Sequence, residues 1–137
     1  MHVSTRSASI TYQSKVLLCV AALSLLIATI AGAVGSHVLA VDDRAMHSFE
    51  TAVQFQFFHG LGLIAITLVG LRAAGGRLLW SAAWLMVAGT VLFCGSIYAR
   101  TFGAPSGIVS AAPYGGVAFM VAWLLFAVSV WQSPPAR

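Results

Sequence analysis

Four long apolar stretches without a charged residue dominate the pattern of this 137-residue chain. They cover about residues 16–35, 52–71, 78–99 and 112–131. Each has roughly the 20 residues that a helix needs to cross a bilayer. The stretches are continuous rather than alternating, which favours helices over the strands of a membrane barrel. The pattern therefore predicts an all-α fold, an integral membrane four-helix bundle.

One membrane domain with two short tails accounts for the chain. We expect an N-terminal tail, a four-span membrane domain and a C-terminal tail at residues 1–15, 16–131 and 132–137. The last connection contains Gly103, Pro105 and Gly107, which are typical of loops. Pro113 fits the first turn of the fourth helix, where its missing N–H is not needed.

The composition excludes a water-soluble domain. Hydrophobic residues make up 60% of the chain and charged residues only 7%, whereas a soluble domain carries about 25% charged residues. The basic residues are scattered singly, so no nucleic-acid surface is predicted. No serine or cysteine belongs to a nucleophile motif, so we expect no enzyme activity, and no cofactor is predicted. The expected partner is the lipid bilayer, together with a second copy or another membrane protein.

The distribution of Lys and Arg predicts the orientation. Five of the seven basic residues lie on the side of both termini, namely Arg6, Lys15, Arg72, Arg77 and Arg137. Arg44 and Arg100 lie on the other side. The positive-inside rule then places both termini in the cytoplasm of a multi-pass protein of the inner (plasma) membrane.

An alternative concerns the first span. Lys15, the apolar run after it and the small residues 31–33 are also compatible with a cleaved secretory signal, which would leave Val34 as the new terminus. The run is long for such a signal, which favours an uncleaved span.

Polar side chains concentrate in the halves of the spans that face away from the termini. The candidate polar cluster consists of His37, His47, Glu50, Gln54, Gln56, His59, Ser96 and Tyr98. On a helix, His47, Glu50 and Gln54 share one face, and Gln56 and His59 lie on nearly the opposite face. Polar groups in hydrocarbon need partners, so we expect the second helix to lie among the other helices or at a subunit contact.

Small residues indicate where helices approach closely. The candidate helix-packing residues are Gly32, Gly35, Gly95, Gly115 and Gly116. Cys19 and Cys94 fall at different depths of their spans, which argues against a disulfide.

Four segments together resemble a known family. They are Gly-Ala-Val-Gly-Ser-His-Val-Leu (32–39), Phe-Glu-Thr-Ala-Val-Gln-Phe-Gln-Phe-Phe-His (49–59), Leu-Phe-Cys-Gly-Ser-Ile-Tyr (92–98) and Pro-Tyr-Gly-Gly (113–116). The chain resembles the small bacterial membrane proteins of domain of unknown function 423, or uncharacterised protein family 0382, related to eukaryotic transmembrane protein 256. The resemblance implies a four-helix membrane protein and no assigned activity.

The positions that match the family pattern are Gly35, His37, Glu50, Gln56, His59, Gly95, Ser96 and Gly116. The chain departs from the pattern at Ser36, where the family has alanine. It also departs at Gln54, near which the pattern has arginine or another polar residue, and at Phe55 and Phe58, near which it has tyrosines. A mechanism that needs this charge and these two hydroxyls does not fit the chain.

These observations favour a non-enzymatic membrane component that acts through helix packing, as an accessory or oligomeric subunit. An alternative is a small transporter or channel with a polar vestibule around His37, Glu50, Gln54 and His59. A second alternative is a metal or redox site formed by His37, His47, Glu50 and His59, since imidazole and carboxylate groups bind metal ions. Its spacing matches no known ligand motif, so no metal ligand is predicted.

Overall fold

Four long helices follow one another in the computed structural model, which describes residues 10–37, 41–72 and 76–133. They are α1 (Tyr12–His37), α2 (Asp43–Arg72), α3 (Arg77–Thr101) and α4 (Ala112–Trp131). A short 3-10 helix, Ser106–Ala111, leads into α4, and the described residues contain no strand. All four helices are long and apolar enough to cross a membrane. The predicted all-α four-helix membrane fold is confirmed.

The second helix is longer than a bilayer requires. Its 30 residues extend over about 45 Å at 1.5 Å per residue, whereas the hydrocarbon core is about 30 Å thick. It begins at Asp43, so most of the polar segment expected to connect the first two spans is helical. The preceding Asp42 caps it, because its Oδ1 accepts a hydrogen bond from the Ala45 N–H at 2.9 Å. The charged first turns therefore extend α2 beyond the apolar part of the bundle.

The third helix contains one irregular turn. Val91–Gly95 is π-helical, and the α-helix resumes at Ser96. A π turn holds one more residue than an α turn and is common at functional sites. Beyond α3, Gly103 has a φ of +97°, a conformation that favours glycine. Pro113 lies in the first turn of α4, as its sequence position predicts.

The helices pack in chain order. The first helix lies mainly along α2, α4 lies mainly along α3, and α2 and α3 share the centre. The buried core that joins them consists of Leu17, Ala21, Leu63, Ile66, Leu79, Ala82, Ala83, Met86, Phe119 and Ala122. Because α1 and α4 each have one main neighbour, large parts of their surfaces stay open to the surroundings.

Two of the predicted packing glycines lie at tight crossings. A Cβ added at Gly35 would come within 2.9 Å of the Phe49 ring, and one at Gly115 would meet the backbone nitrogen of Phe93. Gly32 is in looser contact, since its nearest neighbour would be 3.7 Å away. Gly95 and Gly116 face open space, with no atom within 4 Å of an added Cβ.

Four further glycines allow close approach of larger side chains: Gly60, Gly62, Gly70 and Gly89. Leu25 packs on the first of them and Trp123 on the second. These glycines are evident in the sequence, but the sequence does not indicate which neighbouring helix each of them contacts.

Candidate functional site

The side chain of Gln56 joins three helices. It is only 4% exposed, on the face of α2 that also buries Ala52 and His59. Its Nε2 donates a hydrogen bond to the Ser24 carbonyl of α1 at 3.0 Å and lies 3.3 Å from the Ser24 hydroxyl. The Tyr98 hydroxyl of α3 donates to Gln56 Oε1 at 2.7 Å. The amide of Gln56 is thus bonded at both ends.

This network forms the floor of a groove between α1 and α3, here called the α1–α3 groove. Its volume is about 350 Å³. It is lined by Val20, Leu23, Ser24, Ile27, Gln56, Leu63, Val87, Thr90, Val91, Cys94, Gly95 and Tyr98. Apolar walls with a few polar groups are typical of ligand and helix contact sites. The groove opens sideways, because the two helices that flank it pack on α2 rather than on each other.

The side chain of His59 lies elsewhere, against α4. Its Nδ1 is 2.7 Å from the Phe55 carbonyl of its own helix, so Nδ1 carries the proton that is donated. The imidazole stacks on Phe119, with ring centroids 3.5 Å apart and an angle of 19° between the rings. Phe55 covers it on a second side, at a centroid distance of 5.5 Å. His59 is therefore enclosed by aromatic rings and does not meet the Gln56 network.

The other members of the candidate polar cluster do not gather around one point. His37, His47, Glu50 and Gln54 are exposed, and Ser96 is buried and donates to the Phe93 carbonyl of its own helix at 3.0 Å. Of the eight residues, the structure brings together only Gln56 and Tyr98 by a direct side-chain bond.

Among the described residues, one face near the start of α2 is exposed. His47, Glu50 and Gln54 are exposed there, as the helical periodicity indicates. The opposite side of α2 packs on α1 and α3, and α2 is the most buried of the four helices, which agrees with the expectation that it lies among them. A subunit contact at the exposed face stays a prediction.

No metal centre takes shape among residues 10–37, 41–72 and 76–133, where no three His, Cys, Asp or Glu side chains come close enough to share an ion. Both cysteines are free, and Cys19 is exposed whereas Cys94 is buried. The Cys94 thiol donates to the Ala52 carbonyl at 3.3 Å and adds a further link between α3 and α2.

Three partners of the site were not singled out from the sequence. Ser24 lies in a long apolar run, and Phe119 and Trp123 are two aromatic residues among many. The only signal for Ser24 is that a lone serine interrupts the run. Nothing in the sequence indicates which aromatic residue covers His59.

Comparison with known proteins identifies the family. Residues 31–116, from the end of α1 to the start of α4, match the family described as "Protein of unknown function (DUF423)". The chain is 34% identical over 117 residues to the UPF0382 membrane protein YwdK of Bacillus subtilis, and the aligned region covers 84% of this chain and 95% of the relative. It is 32% identical over 117 residues to the UPF0382 inner membrane protein YgdD of Escherichia coli, and the aligned region covers 84% of this chain and 88% of the relative.

No solved structure matches the chain. The relation to eukaryotic transmembrane protein 256 stays a prediction. The family is described as one of unknown function, and these two relatives are named only as membrane proteins. With its four membrane-spanning helices, the chain belongs to the DUF423 family of UPF0382 proteins, a multi-pass inner membrane protein of a family of unknown function.

Proposed function

We propose that this protein is a non-enzymatic component of the inner membrane that acts through helix–helix contacts in a homo-oligomer. In this proposal the α1–α3 groove of one copy receives a transmembrane helix of a second copy. The observation that carries the proposal is Gly95, which lies in the groove and has no atom within 4 Å of its Cβ position. Glycines on open faces of membrane helices let another backbone approach closely.

The walls of the groove are suited to a helix. Val91 of α3 is 66% exposed, and Leu23 and Ile27 of α1 are also exposed along the opposite wall. The polar atoms of the floor already bond one another, since Gln56 is held by Ser24 and Tyr98. A groove whose polar groups are satisfied and whose walls are apolar favours packing over the passage of a polar solute.

The chain itself offers a helix face that fits. Gly116 of α4 has open space beside its Cβ position, and Met120 on the same helix is 65% exposed. Val117 and Leu124 extend this apolar surface. A small residue beside larger apolar ones is the pattern found where membrane helices pair. We therefore propose that the outward face of α4 of one copy packs into the α1–α3 groove of the other copy.

Site-specific photo-crosslinking in native membranes tests this proposal. A photoreactive amino acid at Leu23 or Val91 should give a product of twice the chain mass, with the crosslinked peptide in α4. Leu61 and Leu68 of α2, which are exposed but lie outside the groove, are the control positions and should give no such product. Gly95→Trp should remove the groove product by filling the space.

Lipid adducts alone at all four positions would contradict the proposal. A crosslink from the groove positions to a different protein would show that the groove binds a helix of that protein. The protein would then be an accessory subunit rather than a homo-oligomer.

A second candidate function, a small transporter or channel with a vestibule, rests on a different cavity. A space of about 360 Å³ between the end of α1 and the start of α2 is lined by Ser36, Glu50 and Gln54, among others. In proteoliposomes this function predicts a flux that Glu50→Gln abolishes while the helical content is kept. If no ion or solute moves under any gradient, the vestibule function is wrong.

A further inference from the structure

A third cavity lies at the end of the bundle where α2 begins and α3 ends. Its volume is about 510 Å³, and the start of α4 closes it from the third side. Two of its lining residues are Arg44 of α2 and Arg100 of α3. We propose that this space, here called the arginine cavity, binds the phosphate group of an anionic amphiphile between the two guanidinium groups.

The chemistry of the two side chains matches phosphate. A guanidinium group presents several N–H donors in one plane and binds phosphate oxygens in pairs. Arg100 uses one nitrogen, Nη1, to donate to the Ala104 carbonyl at 3.3 Å, which holds the side chain at the cavity and leaves further N–H groups. Arg44 lies in the first turn of α2, where the positive end of the helix dipole disfavours a cation. An anion bound there would offset this unfavourable interaction between Arg44 and the helix dipole.

One acidic residue also lines the cavity and counts against an anion. Asp42 is the cap of α2, and its Oδ1 accepts from the Ala45 N–H at 2.9 Å. Its position is thus explained by the start of the helix. Two arginines against one carboxylate leave a formal charge of +1 from these three lining residues.

The surroundings of the arginines indicate an amphiphile. Ile97, Val109 and Ala112 provide an apolar wall beside the charged groups. The first turns of α2 extend beyond the apolar part of the bundle, so the cavity lies at the depth of lipid headgroups. Two guanidinium groups beside an apolar wall match a phosphate headgroup joined to an acyl chain. The same chemistry would also hold a soluble phosphate ester, which the experiment must separate from a lipid.

The test is native mass spectrometry of the purified full chain released from bilayers of equal parts phosphatidylglycerol and phosphatidylcholine. The wild-type protein should retain phosphatidylglycerol preferentially. Arg44→Gln and Arg100→Gln should each reduce this retention about tenfold, as expected for loss of a hydrogen bond between charged groups. Arg72→Gln and Arg77→Gln remove a charge at the opposite end of the bundle and should leave retention unchanged.

One substitution is expected to increase lipid retention. Asp42→Asn removes the opposing charge, and asparagine caps a helix as well as aspartate does, so α2 should be kept and retention should increase. Glycerol 3-phosphate added during release should compete only weakly if the ligand is a lipid. Strong competition with the same dependence on Arg44 and Arg100 would assign the cavity to a soluble phosphate ester.

Equal loss of retention in all four arginine variants, or a loss in Asp42→Asn, would overturn the proposal. The first result would show general attraction between charges, and the second would show that Asp42 pairs with the arginines as part of the fold. Circular dichroism of each variant verifies that the helices are intact.

Discussion

Gln56 shows how a single amide positions several elements of a membrane protein. Its nitrogen bonds α1 through the Ser24 carbonyl, and its oxygen bonds α3 through the Tyr98 hydroxyl. In a soluble protein water would replace either partner, but hydrocarbon offers no substitute. The three helices are therefore tied together at one depth, which sets the shape of the α1–α3 groove.

Removing either member of the Gln56–Tyr98 pair should destabilise the fold moderately. Gln56→Leu and Tyr98→Phe are each expected to lower the free energy of unfolding by about 1 kcal/mol, the usual size of such bonds in membranes. The double variant should lose less than the sum, because the two changes delete one shared bond. Titration with sodium dodecyl sulfate in detergent micelles measures this. Tyr114→Phe, at an exposed tyrosine, is the control, and strictly additive losses would show that the pair is not coupled.

At the level of residues, the sequence predicted which face of its helix each polar residue occupies, but not which residues it contacts. Helical spacing separated His47 and Glu50, which are exposed, from Gln56 and His59, which are buried. This worked because the spacing is a local property of the chain. The enclosure of His59 by Phe119 was not predictable, since the two residues lie on different helices and any aromatic residue could have fitted.

At the level of elements, the crossing of α3 and α4 depends on two glycines. A Cβ at Gly115 would meet the Phe93 backbone and would lie 2.9 Å from the Gly89 carbonyl oxygen. A Cβ at Gly89 would fall within 2.6 Å of the Phe119 ring. The contacts at Gly115 include backbone atoms, which no side-chain rotation relieves, so a Cβ there would force the two helix axes apart, whereas the nearest contact at Gly89 is with the Phe119 side chain.

Neighbouring glycines of α4 provide a matched pair of variants for this crossing. Gly115→Ala should lower the free energy of unfolding by about 1–3 kcal/mol, the usual penalty for overpacking a core. Gly116→Ala should leave it unchanged or slightly higher, because space is open there and alanine favours helices. The same detergent titration, on monomeric protein, compares them. Equal effects of the two substitutions would mean that the crossing is not tight.

The elements were predictable as far as the apolar runs extend. Runs of bilayer length indicate membrane helices because only regular helices satisfy the backbone in lipid. The start of α2 at Asp43 was not expected, since its first turns are polar and resemble a connection. The π turn at Val91–Gly95 was also unforeseen, because these apolar and small residues are equally common in regular membrane helices.

At the scale of the whole molecule, the distribution of charge predicts the orientation of the bundle in the membrane. Arg44 and Arg100 lie at the end where α2 begins and α3 ends, and both line the arginine cavity. Arg72 and Arg77 lie at the opposite end, with the start of α1. The larger number of basic residues on the side of the termini favours that side for the cytoplasm.

Reporter fusions test this orientation. Alkaline phosphatase, which is active only outside the cytoplasm, should be active when it is fused after Ala104 and inactive when it is fused after Trp131. Green fluorescent protein should give the opposite pattern, because it becomes fluorescent in the cytoplasm. Active phosphatase after Trp131 would show that the bundle is inserted the other way round.

The π turn of α3 has a consequence for which changes in chain length the protein tolerates. Because this turn holds one residue more than an α turn, deleting one residue within Val91–Gly95 would restore a regular α-helix and leave the residues after it facing as they do now. Tyr98 would still meet Gln56, and Arg100 would still line the arginine cavity. A deletion in the regular part of α3 would instead rotate one side of the helix against the other by about 100°. In this family member, the middle of α3 therefore tolerates the loss of one residue only within the π turn.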